Sequence, residues 1–69
     1  MSVMTWIFKK ITRLWANNGK SFIEIEGTAG WKELVPTTYD MYDIASLGFF
    51  NGRQVWVDLV GDKVYQMAT

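Results

Sequence analysis

"RLWANNGKSFIEIEGTAGWKEL", residues 13–34, contains the boundary on which the fold depends. Up to Lys20 every charged side chain is positive, and every acid lies beyond it. Backward from Gly19 the apolar residues recur at helical steps; forward from Ser21 they alternate. The two periods predict a helix that ends near Asn18 and a strand that follows it.

Upstream, steps of about 100° per residue gather Val3, Met4, Ile7, Phe8, Ile11, Leu14 and Trp15 into a sector of about 140°. Lys9, Lys10 and Arg13 fall on the other side. Ser2 is a suitable N-cap, and Asn17, Asn18 and Gly19 supply a left-handed exit. An amphipathic helix over about 3–17 is therefore expected, with Ile7, Ile11 and Leu14 buried. Trp6 breaks the pattern by landing between Arg13 and Asn17 on the polar face.

Downstream, Ile23 and Ile25 share one side of a strand while Phe22, Glu24 and Glu26 share the other. Gly27 to Gly30 form a loop from which residues 31–35 return, giving a hairpin over about 21–35 that Pro36 ends. Residues 38–47 read as a short helix or turn, with Thr37 and Asp40 at its start and Met41, Ile44 and Ala45 at helical spacing. Asn51-Gly52 is the preferred pair for a type I′ turn and Gly61-Asp62 suits type II′, which predicts a meander over about 47–68. Pairing outward from Gly61-Asp62 puts Val55, Val57, Leu59, Val64 and Ala68 on one face. Trp56, Asp58, Val60, Lys63, Tyr65 and Met67 occupy the other.

The 69 residues form one domain near the lower size limit for a self-sufficient core. With no Cys and no His, neither a disulfide nor an ordinary zinc site can brace it. The support expected instead is an apolar composition of 49%, with four Trp, four Phe and three Tyr. The expected architecture is α+β: an N-terminal amphipathic helix packed on a bent antiparallel sheet of four to five strands. The alternative is a small SH3-like β-barrel with an N-terminal helix, should residues 37–47 be mostly extended.

Without His or Cys, the Ser/His/Asp and Cys/His nucleophilic arrangements are excluded. Glu24 and Glu26 lie about 7 Å apart on one strand face, within the range of paired-carboxylate chemistry, but a solvated strand edge accounts for them better. Asp40 and Asp43 fall short of the six to eight oxygens that calcium takes. Gly27-Thr-Ala-Gly30-Trp-Lys32 has two residues between its glycines where a phosphate loop needs four. No catalytic residue, metal or cofactor is expected.

The surface is more informative. Lys9, Lys10, Arg13 and Lys20 meet no acid in residues 1–20, while residues 21–69 hold seven acids against Lys32, Arg53 and Lys63. The formal net charge is zero. Aromatic residues, Met and Arg are enriched at interfaces. The expected role is a small non-catalytic protein-binding module, an accessory, inhibitory or structural subunit that binds another protein or its own copies. Chains of this size recur among the small proteins of viruses and mobile elements, which is the setting expected. Its contact residues are expected to be Trp6, Lys9, Lys10, Arg13, Trp56, Tyr65 and Met67, with Trp6 and Arg13 at the centre.

Two alternatives use the same basic segment: an anionic membrane taken by the aromatic N-terminal helix, and a weak nucleic-acid contact. Positive charges interrupt the apolar residues near the start, and no uncharged run reaches the 18 or so residues of a membrane span. A soluble, intracellular protein without a signal peptide is expected.

Overall fold

The computed structural model describes residues 5–69. Five strands close into a barrel with one helix between the third and fourth. They are β1 (Trp6–Asn17), β2 (Lys20–Ile25), β3 (Lys32–Leu34), β4 (Gln54–Val60) and β5 (Lys63–Ala68), with α1 spanning Tyr39–Asn51. The order around the barrel is β1-β2-β3-β5-β4, with β4 returning to β1. All neighbours are antiparallel except β3 and β5, which run parallel. The closed barrel of the alternative therefore fits, although residues 39–51 are helical where that alternative took 37–47 to be mostly extended, and the sheet is closed and not open.

The main correction is β1. Residues expected to form the N-terminal helix are a 12-residue strand, and Val3 and Met4 lie outside the described residues. Asn18 and Gly19, expected as a helix exit, have φ of 51° and 76°. Two successive left-handed residues between the partners Asn17 and Lys20 make a type I′ hairpin turn. The charge sorting then has a local consequence: the turn folds the basic strand back along the acidic one, so that Arg13 faces Glu24.

β1 is long enough to change partners midway. Trp6 to Lys10 pair with β4, and Ile11 to Asn17 pair with β2. A β-bulge at the junction sets Ile11 opposite Ile25 but Arg13 opposite Glu24, leaving Thr12 as the extra residue. Its hydroxyl donates to the Glu24 carbonyl at 3.2 Å. Because the extra residue shifts the alternation, Leu14 turns inward while Arg13 and Trp15 turn outward.

α1 is longer than the expected 38–47. Thr38 caps its N-terminus, its hydroxyl accepting from the Met41 amide at 3.2 Å, and Asp40 stands in the first turn where a negative charge is favoured. Its C-terminus corrects a second expectation. Asn51-Gly52 is not a hairpin turn, because Gly52 at φ 62° is the left-handed cap of the helix. The Gly52 amide donates to the Phe49 carbonyl and the Arg53 amide to the Gly48 carbonyl, the paired bonds of a Schellman motif. Residues 47–50, expected as the first strand of a meander, belong to the helix.

The β4–β5 hairpin forms at Gly61, whose φ is 62°. Val60 faces Lys63 and Leu59 faces Val64 as expected, but Asp58 faces Gln66 instead of Tyr65. Tyr65 is thus bulged, and from there the faces exchange: Met67 enters the core and Ala68 is exposed. The core consists of Ile11, Ile23, Ile25, Leu34, Val55, Val57, Val64 and Met67 from the barrel, with Met41 and Ala45 from α1. Asp58 is also buried, its carboxylate accepting from the Thr5 amide at 3.2 Å and the Gln66 side-chain amide at 3.3 Å.

Candidate functional site

The outer wall formed by β1, β2 and β3 carries three aromatic side chains in contact. Outward alternation after the bulge puts Trp15 on that wall, and the type I′ turn sets it opposite Phe22. The two rings are stacked, with centroids 4.8 Å apart and planes inclined by 28°. Trp31, just before β3, completes the group, its ring centroid 5.6 Å from that of Trp15. Trp15 is exposed, and Phe22 and Trp31 are half-buried against their neighbours.

Ion pairs border this cluster. Arg13 grips Glu24 with two parallel bonds, Nε to Oε2 at 2.8 Å and Nη2 to Oε1 at 2.6 Å. Its guanidinium also lies 4.9 Å from the centroid of the Trp31 ring, a cation–π arrangement. Farther along, Lys63 Nζ donates to Glu33 Oε1 at 2.6 Å, joining β5 to β3 where their registers meet. The hydrogen bond from Arg13 holds the Glu24 carboxyl below its ordinary value. That from Lys63 does the same for Glu33, with nearby positive charge adding to it and desolvation opposing. Arg13 and Lys63 are in turn raised by the bonds they donate. The wall is therefore aromatic at its centre, with two ion pairs at its border, while Lys20 and Lys32 of the same strands make no ion pair among the described residues.

The expected contact residues are not gathered in one place. Trp6 and Arg13 lie seven residues apart on one strand, which is about 23 Å, so they cannot share the centre of a patch. Trp6, Phe8 and Lys10 alternate along the β4 side of β1, where Trp6 faces Asp58 and Lys10 faces Gln54. Trp56 is exposed there, its ring 4.8 Å from that of Phe8. Tyr65 is exposed at its bulge and Lys9 is exposed opposite Val55. Met67 is buried, and the bulge at Tyr65 is the reason. Of the seven, Arg13 alone borders the Trp15–Phe22–Trp31 cluster.

Glu24, expected at a solvated edge, is the partner of Arg13. The loop before β3 serves a hairpin, with Lys32 Nζ donating to the Ala29 carbonyl at 2.8 Å. Among the described residues no group of three or more acidic, His or Cys side chains is arranged to hold a metal ion, and no helix is long and apolar enough to cross a membrane. No family, curated protein or solved structure matches the chain.

Proposed function

We propose that this chain is a small non-catalytic protein-binding module that docks a partner on the β1–β2–β3 wall through Trp15, Phe22 and Trp31. The observation that carries the reading is the cluster itself: three touching aromatic rings on the outside of a barrel, with Arg13 laid over one of them. Trp, Tyr and Arg dominate the residues that cost most when truncated at interfaces, above all where neighbouring groups exclude water. The paired Arg13–Glu24 and Glu33–Lys63 are suited to the rim of such a contact, since they already satisfy one another.

The connectivity supports the same wall independently. A closed order of β1-β2-β3-β5-β4 with a helix between the third and fourth strands is that of OB-fold barrels, which bind along strands 2 and 3 and the flanking loops. This is analogy at the level of fold, and it speaks to place and not to partner. OB-folds take single strands of nucleic acid on aromatic platforms, but affinity there comes largely from cations that neutralise phosphates. Here Arg13 and Lys63 beside the platform are engaged by Glu24 and Glu33, which leaves Lys20 and Lys32 as the cations of β2 and β3 outside an ion pair among the described residues. That balance favours a protein surface over a polyanion. The membrane reading relied on an interfacial helix, and the segment concerned is β1.

Affinity purification from the native cell tests the proposal when wild type is compared with a Trp15→Ser/Trp31→Ser variant. A protein retained by the first and lost by the folded second is expected. Binding of single-stranded oligonucleotides or of anionic liposomes that both variants share would point elsewhere on the barrel.

A further inference from the structure

A second surface, remote in sequence from the aromatic wall, lies on α1. Residues buried by the helix, Met41, Ala45 and Gly48, occupy one side. At about 100° per residue, Tyr39, Asp40, Asp43, Leu47 and Phe50 fall within a sector of about 120° on the other. That outer stripe is apolar to an extent unusual for an uncovered helix: Tyr39 is 87% exposed, Phe50 78% and Leu47 53%. An aromatic side chain can bury roughly 150–250 Å², so Phe50 with Leu47 one turn away, and Tyr39 on the far side of Asp43, leave substantial apolar area for a partner to cover.

Its charges run in one direction. Asp40 and Asp43 stand in the N-terminal half, and Arg53 follows the C-terminal cap. Among the described residues none of the three makes an ion pair. Beside the C-terminal half lies a cavity of about 340 Å³ whose lining includes Leu47, Asn51, Arg53 and Gln54. An N-terminal half that carries both acids, with Asp43 between Tyr39 and Leu47, and a C-terminal end that carries the base complement a reversed copy of the same pattern. A parallel arrangement would set like charges together.

We propose that α1 pairs antiparallel with α1 of a second copy about a twofold axis near Ser46. Tyr39 and Arg53 lie seven residues to either side of that axis, so Tyr39 of each copy reaches the cavity beside Arg53 of the other. Asp40 then meets Arg53 twice, as the symmetry of an isologous contact requires. Leu47 and Phe50 supply the apolar contact, and Asp43 lies within reach of the other copy's Arg53.

Sedimentation of the full chain over a range of concentrations tests this. Wild type is expected to approach twice the 8.0 kDa of one chain as concentration rises. Phe50→Glu and Tyr39→Ala should each stay monomeric with unchanged far-UV circular dichroism. Asp40→Arg alone and Arg53→Asp alone should each weaken association by roughly tenfold or more, and the two together should restore it. Wild type that remains monomeric throughout, assembly that ignores Phe50→Glu, or closure into a ring of more than two copies would each overturn the proposal. Trp15→Ser/Trp31→Ser should leave the dimer intact, so this surface and the aromatic wall fail or hold separately.

Discussion

Gly48 is where α1 lies against Val55 of β4, and substituting it weighs two opposed effects. In an isolated helix, Gly48→Ala would gain up to about 1 kcal/mol, because glycine is the poorer helix former by that amount. Here the new Cβ would lie 2.8 Å from Val55 Cγ1 and 3.6 Å from the Arg53 carbonyl oxygen. Val55 is fully buried and β-branched, so it has few rotamers into which to retreat. Forcing a methyl into such a place costs about 1–3 kcal/mol, which outweighs the gain. A net loss of about 1 kcal/mol is expected, and for a domain of this size that lowers the thermal midpoint by roughly 4–8 °C. Thermal melts followed by far-UV circular dichroism would measure it. Val55→Ala removes the atom that clashes, so Gly48→Ala/Val55→Ala should be more stable than the two single losses added together. If Gly48→Ala instead raises the midpoint and the double variant is simply additive, α1 does not pack on β4 as described.

Other positions yield separate expectations. Ile23→Ala, at a fully buried barrel position, should cost about 2–5 kcal/mol in chemical denaturation, and Leu14→Ala, half-buried, clearly less; the reverse order would fit the helical reading of residues 3–17. Gly52→Ala should cost about 1 kcal/mol, since an L-residue resists the left-handed cap, and a neutral result would argue against the Schellman motif. Glu24 and Glu33 should titrate below ordinary glutamates in carboxyl NMR spectra, and Arg13→Ala should return Glu24 alone to the usual range. Because both are lowered in the folded chain, the unfolded chain binds more protons in acid. Their stabilising contribution is thus complete above the unfolded carboxylate value of about 4.3 and is lost as pH falls through the folded values.

β2 was legible because Ile23 and Ile25 alternate with no irregularity, and the turn at Gly61 because glycine is suited to its positive φ. β1 was not legible, and the bulge at Thr12 explains why. Its inward residues Ile7, Ile11 and Leu14 are spaced by four and three, the signature of a helix face, because the bulge adds one residue to the alternation and the exposed Lys9 interrupts it earlier. The bulge at Tyr65 similarly exchanged Met67 and Ala68. The pair Asn-Gly occurs twice and marks a left-handed backbone both times, yet residues 18–19 turn a hairpin and Gly52 at 51–52 caps a helix. Local chemistry specifies the dihedral angles; the partners that follow decide the element. The aromatic wall was within reach of the sequence through Asn18-Gly19: counted outward as a hairpin turn, that pair sets Trp15 opposite Phe22. Trp31 joins them through the next hairpin, which was expected at about the right place.

The central claim is that the Trp15–Phe22–Trp31 wall is a binding face and not spare core, and affinity of a triple variant for the captured partner tests it most directly. Trp15→Ser/Phe22→Ser/Trp31→Ser removes the whole cluster while the buried residues of the barrel stay in place. Titration calorimetry against the partner retained by wild type should show binding abolished in the variant, whose circular dichroism still reports the native fold. Undiminished affinity in that folded variant would contradict the claim.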